Sequence, residues 1–211
     1  LSERAAQVDW DAFDQNDWQL FAQIADTEGV APLLHWQVKT DVITDEWPTE
    51  VFQYLQASYY KSTAHNALLF QELERILEAF ESAQIPVIVL KGAALAQTIY
   101  PEPGLRPMGD LDLLVKFEQV TQGIKIFLED DYKPIFLTSH HVGLAKHTHP
   151  NNLVELHFEI PIEKHNYSLI SAEWYWEQKY HLLMVNGQQY SCIFQLNLIF
   201  QLIHLIGHLF V

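Results

Sequence analysis

Two aspartates separated by one leucine are the first residues whose spacing suggests chemistry. Asp110, Leu111 and Asp112 open an apolar run that indicates a β-strand. In a strand the two carboxylates point to one face, about 7 Å apart, and repel each other unless a cation lies between them. Hard divalent ions such as Mg²⁺ take carboxylate oxygens as ligands. The pair therefore fits a metal site, with a solvated strand end as the alternative.

A third acid strengthens the metal hypothesis. Residues 153–160 alternate strictly, with apolar side chains on one face and Glu155, His157 and Glu159 on the other. If this strand neighbours the aspartate strand, Glu155 completes a cage of three carboxylates. The alternative is an ordinary half-exposed antiparallel strand, which the alternation alone would also predict.

Histidines are abundant, and four of them fall in one predicted loop: His140, His141, His147 and His149. A zinc site would need further ligands at defined spacing, but there is one cysteine and no His-Glu-x-x-His pattern. Contact with substrate or phosphate is the favoured role for this loop, and solvated side chains or a metal-dependent hydrolase are the alternatives. His157 shares a face with Glu155 and is a candidate proton carrier or orienting partner.

The elements that must position these residues follow from periodicity and from breaker residues. A long helix is predicted over residues 49–82, and strands are predicted at 87–90, 110–116, 132–138 and 153–160. Helices at 92–100 and 117–130 connect the first of these strands, and Asn186-Gly187 predicts a tight hairpin turn. Strands that alternate with helices predict an α/β core with a partly parallel sheet.

Three segments are expected along the chain. Residues 1–83 form a helical segment packed on the core, residues 84–165 form the α/β core, and residues 166–211 hold a hairpin and an apolar helix. The apolar run 196–211 is shorter than the ~20 residues of a membrane-spanning helix. It carries polar residues at helical spacing, which predict a core helix with one solvent-exposed face. Because the chain starts at Leu1 and ends without a stop signal, we expect the natural protein to be longer.

Composition excludes several classes of partner. Apolar residues make up 49% of the 211 residues, so the chain can build a packed core. The 12 basic and 27 acidic residues give a net charge of −15. This charge argues against purely electrostatic binding of nucleic acid or anionic lipid. Phosphates would have to be bound by a few placed cations or by metal. The single cysteine and the absence of a leader predict a cytoplasmic protein with no membrane partner.

Several motifs between residues 90 and 157 occur in a specific order. They are Lys91-Gly92, Tyr100, Arg106, the run at 109–115 and the run at 154–157. In this order they resemble the uncharacterised nucleotidyltransferase family of the DNA polymerase beta superfamily. The resemblance covers about residues 50–211. It implies an α/β (α+β) fold with a polymerase-beta-like core and a mixed sheet, flanked by N-terminal helices and a C-terminal helical segment.

The resemblance also implies roles for the acids. Asp110 and Asp112 match the metal-binding pair of the superfamily, and Glu155 matches its third acid. Two Mg²⁺ ions, or Mn²⁺ in their place, are the expected cofactors. Two-metal catalysis stabilises the attacking and leaving oxygens of an in-line displacement, and Glu155 is positioned to take the acceptor's proton. His157 is expected beside this site.

Nucleotide binding is implied for the start of the helix at 92–100. Gly92 matches the turn glycine that holds the triphosphate, and the backbone N–H groups of Gly92 and Ala93 would face the phosphates. Ala93 stands where many relatives have serine, so that hydroxyl contact is missing. Lys91 and Arg106 would offset the triphosphate charge, Arg106 in bidentate fashion.

The predicted function is therefore Mg²⁺-dependent transfer of a nucleoside monophosphate group from a nucleoside triphosphate such as ATP to a hydroxyl. A small-molecule acceptor is favoured, a protein acceptor is an option, and nucleic acid is not expected because no basic stripe is present. The alternative is a nucleotide-binding or regulatory module with weak catalysis on the same fold, which Ala93 favours.

Overall fold

The computed structural model describes residues 8–40, 47–146, 149–160, 172–181 and 189–208. Contacts divide the chain into two units. The first combines Leu1–Ala67 with Ile99–Pro107, and the second combines Leu68–Thr98 with Met108–Val211. The division into segments 1–83, 84–165 and 166–211 stays a prediction.

Helices build the first unit. They are α1 (Gln15–Thr27), α2 (Ala31–Thr40) and the first part of α3 (Thr49–Ser82). Asp14 begins α1 with a capping box, in which its carboxylate accepts hydrogen bonds from two backbone N–H groups of the first turn. The long helix predicted over residues 49–82 is confirmed. It ends before Gln84, whose φ of 55° takes the chain out of the helix.

The loop that carries Arg106 is fixed to α3 within the first unit. The Asn66 side chain donates hydrogen bonds to the carbonyls of Pro103 at 2.7 Å and of Arg106 at 2.8 Å. Gly104 lies directly on Thr63, and a Cβ added at Gly104 would stand 3.0 Å from the Thr63 Cα. The close approach of helix and loop therefore requires glycine at this position.

A mixed sheet forms the second unit. Among the described residues its strands are β1 (Val87–Val89), β2 (Asp110–Leu114), β3 (Tyr132–Leu137), β4 (His141–Lys146), β5 (His149–His157), β6 (Lys179–His181) and β7 (Ile193–Leu196). Their spatial order is β3-β4-β5-β2-β1-β7-β6. β1 is parallel to β7 and β2 is parallel to β5, whereas the other neighbouring pairs are antiparallel. The predicted mixed sheet is confirmed.

Helices connect and cover this sheet. They are α4 (Lys91–Thr98), α5 (Val120–Glu129), α6 (Ala172–Glu177) and α7 (Leu198–His208). The two connecting helices predicted at 92–100 and 117–130 correspond to α4 and α5, with a 3₁₀ turn at Phe117–Gln119 in front of α5. The structure therefore has the predicted strand and helix order from β1 to β3.

Alternation along the central strands separates two apolar clusters. Leu111 and Leu113 of β2 and Leu156 of β5 join the main core, together with residues of α3 and α5. Leu114 packs instead in a second cluster with Tyr175 and Trp176 of α6. Because neighbouring residues of a strand point to opposite faces, the acids of β2 lie on the same face as Leu114.

The predicted histidine loop is wrong in part. His141 opens strand β4, and β5 begins at His149 rather than at residue 153. Val142 and Leu144 are buried and alternate with Gly143, so this segment has a core-facing side of its own. Small and polar residues in this segment made the alternation hard to recognise in the sequence. His147 lies outside the described residues.

The predicted strand at 153–160 also ends early. β5 stops at His157, and the N–H groups of Phe158 and Glu159 donate to the carbonyl of His140 at 3.0 and 3.2 Å. Glu159 is exposed, so it does not share the site of Glu155. The predicted turn at Asn186-Gly187 lies outside the described residues.

On helix α7 the polar residues lie on the buried side, which is the reverse of the predicted arrangement. Gln201 and His204 are buried, whereas Leu198, Ile199 and Leu202 are exposed. Gln201 keeps its place because its side-chain amide donates to the Leu196 carbonyl at 2.8 Å. The prediction of a solvent-exposed polar face on this helix is therefore wrong. A search of the described residues found no helix with the length and hydropathy needed to cross a membrane.

Gly104→Ala tests the close contact in the first unit. The added methyl group would overlap Thr63, so we expect the free energy of unfolding to fall by about 1–3 kcal/mol. Urea denaturation measures this change. Gly109→Ala is the matched control, because nothing lies within 4 Å of its Cβ position, and a loss of stability as large as that of Gly104→Ala would contradict the assignment.

Candidate active site

Three carboxylates meet on one face of the sheet. β2 and β5 are adjacent and parallel, and Asp112 lies directly beside Glu155 in the register. Side-by-side residues share a face, and Asp110 is on that face too, two positions before Asp112. Each of the three acids offers an oxygen within 4.8 Å of the others. The convergence expected from the sequence is therefore present, and the metal-binding role stays a prediction.

Asp112 is the most enclosed of the three acids. It is 3% exposed, and its Oδ1 accepts a hydrogen bond from Lys91 Nζ at 2.6 Å and lies 2.9 Å from His157 Nε2. Burial alone would raise the pKa of Asp112, but the hydrogen bond from His157 and the attraction of Lys91 outweigh burial and lower it. Asp112 is therefore ionised at neutral pH.

Asp110 and Glu155 respond differently to the same surroundings. Burial, reinforced by the charges of Asp112 and Glu155, raises the pKa of Asp110 to about 6. The hydrogen bond from His157 lowers the pKa of Glu155 against the opposing effect of burial. For His157 itself, burial opposes ionisation, yet the hydrogen bonds to Asp112 and Glu155 raise its pKa. The raised pKa of Asp110 reflects burial first and then the charges of Asp112 and Glu155, which Lys91 and His157 oppose.

Lys91 reaches the acids from the sharp turn between β1 and α4. The Leu90 N–H donates to the Asp112 carbonyl at 3.0 Å, which ties this turn to β2. Lys91 has a φ of 43°, a left-handed conformation that costs a residue other than glycine about 1–2 kcal/mol. Its ammonium also lies 3.8 Å from Glu155 Oε2. Lys91 is therefore a counter-charge of the acids in this structure, and its phosphate contact stays a prediction.

The first turn of α4 packs tightly. A Cβ added at Gly92 would lie 3.1 Å from Met108 Cγ, and Ala93 is 2% exposed in the main core. The side chain of residue 93 therefore points into the core and not toward a ligand. The backbone N–H groups of this first turn have no intrahelical partner, and their contact with phosphate stays a prediction.

Arg106 belongs to the first unit. Its backbone is held by Asn66, as described above, and its side chain is half-buried. The predicted contact between Arg106 and the triphosphate stays a prediction.

His141, which the sequence placed in a loop, is a further neighbour of the site. Its Nε2 lies 3.7 Å from Glu155 Oε1, and its ring centroid lies 4.8 Å from that of His157. Burial lowers the pKa of His141 to about 4, with Glu155 acting in the opposite direction. The imidazole is therefore neutral at pH 7. The alternation of Val142 and Leu144 was the signal that could have placed this histidine on a strand.

The sequence was compared with known proteins. A family model described as an uncharacterised nucleotidyltransferase matches residues 14–211. No curated protein matches. Among solved structures, a Thermotoga maritima protein assigned as a nucleotidyltransferase has 13% sequence identity and a TM-score of 0.50, over 65% of this chain and 83% of that chain. That similarity supports the polymerase-beta-like α+β fold expected from the sequence.

Two structures of the antibiotic-resistance factor ANT(2″)-Ia are also similar. The solution structure has 12% identity and a TM-score of 0.43, and the match covers 62% of this chain but only 65% of that protein. The crystal structure with adenylyl-2″-tobramycin has 13% identity and a TM-score of 0.43, over 58% of this chain and 67% of that one. Because the family model spans most of its length, the chain belongs to the uncharacterised nucleotidyltransferase family.

Proposed function

We propose that this protein is a Mg²⁺-dependent nucleotidyltransferase that moves a nucleoside monophosphate group from a nucleoside triphosphate to a hydroxyl of a small molecule. The observation that carries the proposal is the convergence of Asp110, Asp112 and Glu155 on two adjacent strands. Family membership supports the kind of reaction.

The donor set fits hard divalent ions. All three ligands are carboxylates, which Mg²⁺ and Mn²⁺ prefer, and the charges of Asp112 and Glu155 add to burial in raising the pKa of Asp110. Asp110 and Asp112 would hold two ions, and Glu155 would share one of them. When bound, such ions stabilise the charge on the attacking and leaving oxygens of an in-line displacement.

The proposed reaction exchanges a phosphoanhydride bond for a phosphoester bond. The acceptor oxygen forms a bond to the α-phosphorus, and the bond from the α-phosphorus to the bridging oxygen breaks. Pyrophosphate leaves with that electron pair, and the acceptor's proton passes to the Glu155 carboxylate. Glu155 suits this role because its lowered pKa keeps it ionised and because its side chain is 17% exposed.

Other residues bind and orient. The Lys91 ammonium and the first turn of α4 at Gly92 and Ala93 would hold the triphosphate. His157 is a positioning residue, because its Nε2 lies 2.9 Å from Asp112 Oδ1 and fixes that carboxylate.

A second candidate function is nucleotide binding without turnover. The Lys91–Asp112 ion pair at 2.6 Å supports it, since the ammonium lies at a carboxylate that catalysis assigns to metal. Calorimetric titration with ATP and Mg²⁺, paired with pyrophosphate release over a panel of hydroxylated small molecules, separates the two functions. Binding without release across the panel would favour the module.

Substitution of the aspartates tests the catalytic roles. Asp110→Asn or Asp112→Asn removes a charged ligand, so we expect pyrophosphate release to fall at least about 100-fold, since even residues that only support metal ligands change activity 10–100-fold. Glu129→Gln is the matched control, because Glu129 is an exposed acid of the same unit. Normal release by both aspartate variants would rule out the proposed metal site.

Asp110→Asn should also stabilise the metal-free protein. The pKa of Asp110 rises from 3.8 to about 6 on folding, so stability is full below pH 4 and falls as the pH rises through 6. Asparagine stays neutral, and we expect the free energy of unfolding at pH 7.5 to increase by about 1–2 kcal/mol after solvent screening is allowed for. Urea denaturation with a chelator present measures the change, and a lower stability would contradict the electrostatic assignment.

Acid should weaken metal binding at the same carboxylate. Below pH 6 a proton competes with the ion for Asp110, so Mg²⁺ affinity in the presence of ATP should fall toward tenfold per pH unit. Calorimetry between pH 5 and pH 8 measures this profile. An affinity that is constant down to pH 5 would show that Asp110 is not a ligand.

A further inference from the structure

Glu155 has a second set of neighbours besides the aspartates. His141 and His157 each present a ring nitrogen to its carboxylate, and the three residues offer ligand atoms within 4.8 Å of one another. The geometry points to a second cation site, formed by His141, Glu155 and His157, that binds a transition ion such as Zn²⁺ or Co²⁺. This inference does not depend on nucleotidyl transfer.

The sheet register places the three ligands on one face. β4 and β5 are antiparallel, with His141 directly opposite His157 and Gly143 directly opposite Glu155. Opposite residues share a face, as do residues two apart on one strand. Both histidines therefore flank Glu155 from rigid strands, and no loop has to move to bring them together.

The distances around Glu155 are compatible with ligand atoms of one ion, and binding of that ion would replace the 2.9 Å contact between His157 Nε2 and Asp112 Oδ1. His141 Nε2 lies 3.7 Å from Glu155 Oε1, and His157 Nε2 lies 3.4 Å from Glu155 Oε2. The longer distance exceeds a hydrogen bond. Ligand atoms bound tetrahedrally at ~2.1 Å from one ion stand about 3.4 Å apart, which is close to both distances.

The surroundings keep these ligands in place. Gly143 puts no side chain beside Glu155, and the Phe136 ring of β3 covers the glycine. The same ring meets the His141 imidazole edge-on, with 5.4 Å between centroids. His157 is 4% exposed, and its Nδ1 has no hydrogen-bond partner among the described residues. His157 is therefore buried, whereas the side chains of His141 and Glu155 are 12% and 17% exposed.

Ligand chemistry separates the two candidate sites. Two imidazole nitrogens with one carboxylate suit Zn²⁺ and other borderline ions, whereas the all-oxygen set of Asp110, Asp112 and Glu155 suits Mg²⁺. Glu155 belongs to both sets, and its two oxygens face different partners. Oε1 lies toward His141, and Oε2 lies toward His157 and Lys91.

Titration of the purified full chain with Co²⁺ tests the site. Co²⁺ bound to imidazole in a four- or five-coordinate site absorbs strongly in the visible, whereas Co²⁺ in a six-coordinate oxygen site absorbs weakly. We expect one strongly absorbing Co²⁺ per chain, displaced by Zn²⁺ at similar concentration and by Mg²⁺ only at much higher concentration. Weak absorption only, or displacement by Mg²⁺ at similar concentration, would overturn the inference.

Variants assign the signal to residues. His141→Ala should weaken Co²⁺ binding at least about tenfold, whereas His65→Ala, a histidine of helix α3, should leave it unchanged. Asp110→Asn should keep the strong absorption, since Asp110 is not in this ligand set. Loss of nucleotidyl transfer in Asp110→Asn with retained Co²⁺ absorption therefore separates the two proposals. Equal Co²⁺ affinity in the His141→Ala and His65→Ala variants would contradict the site.

A measurement on the unsubstituted protein tests the site even if a variant misfolds. Zn²⁺ bound at this site should shift the imidazole NMR signals of His141 and His157 and leave that of His65 in place. If Zn²⁺ shifted all histidine signals equally, or left these two unchanged, the site would be excluded.

Discussion

Repulsion between the carboxylates of Asp110, Asp112 and Glu155 is the constraint on which the rest of the site depends. At an effective dielectric constant of ~20, two charges 4 Å apart repel by about 4 kcal/mol, so three acids stay together only where the structure holds them. Lys91 and His157 compensate Asp112, the most enclosed acid, whereas burial and the neighbouring carboxylates raise the pKa of Asp110 to about 6. The charge that remains is the physical reason to expect divalent ions.

The sheet provides the necessary rigidity. β2 lies between β1 and β5, and its apolar residues Leu111 and Leu113 are fully buried in the main core. Asp112 is therefore attached to a backbone that is bonded to Leu90 at the end of β1 and is paired with Glu155 of β5. A site on such elements keeps its geometry better than one carried by loops. Packing of the apolar residues on the opposite face of the strand thus offsets the repulsion between the acids.

Local patterns were sufficient to predict the long helix, the strand that carries Asp110 and Asp112, and the face of Glu155. The side-by-side placement of Asp112 and Glu155 rests on sheet order, which no local pattern specifies. His141 was misplaced because glycine and alanine weakened the alternation of its strand. On helix α7, Gln201 is buried because it bonds to the Leu196 carbonyl, a tertiary contact that outweighs amphipathic periodicity.

Glu155 presents one oxygen to His141 and the other toward His157 and Lys91. A single carboxylate that serves two ligand sets has only one negative charge to share between them. Occupancy on either side would therefore reduce the attraction on the other, which amounts to negative cooperativity between two chemically different ions. By thermodynamic linkage the effect is mutual. The relative cellular concentrations of transition ions and Mg²⁺ would therefore change the occupancy of both sites.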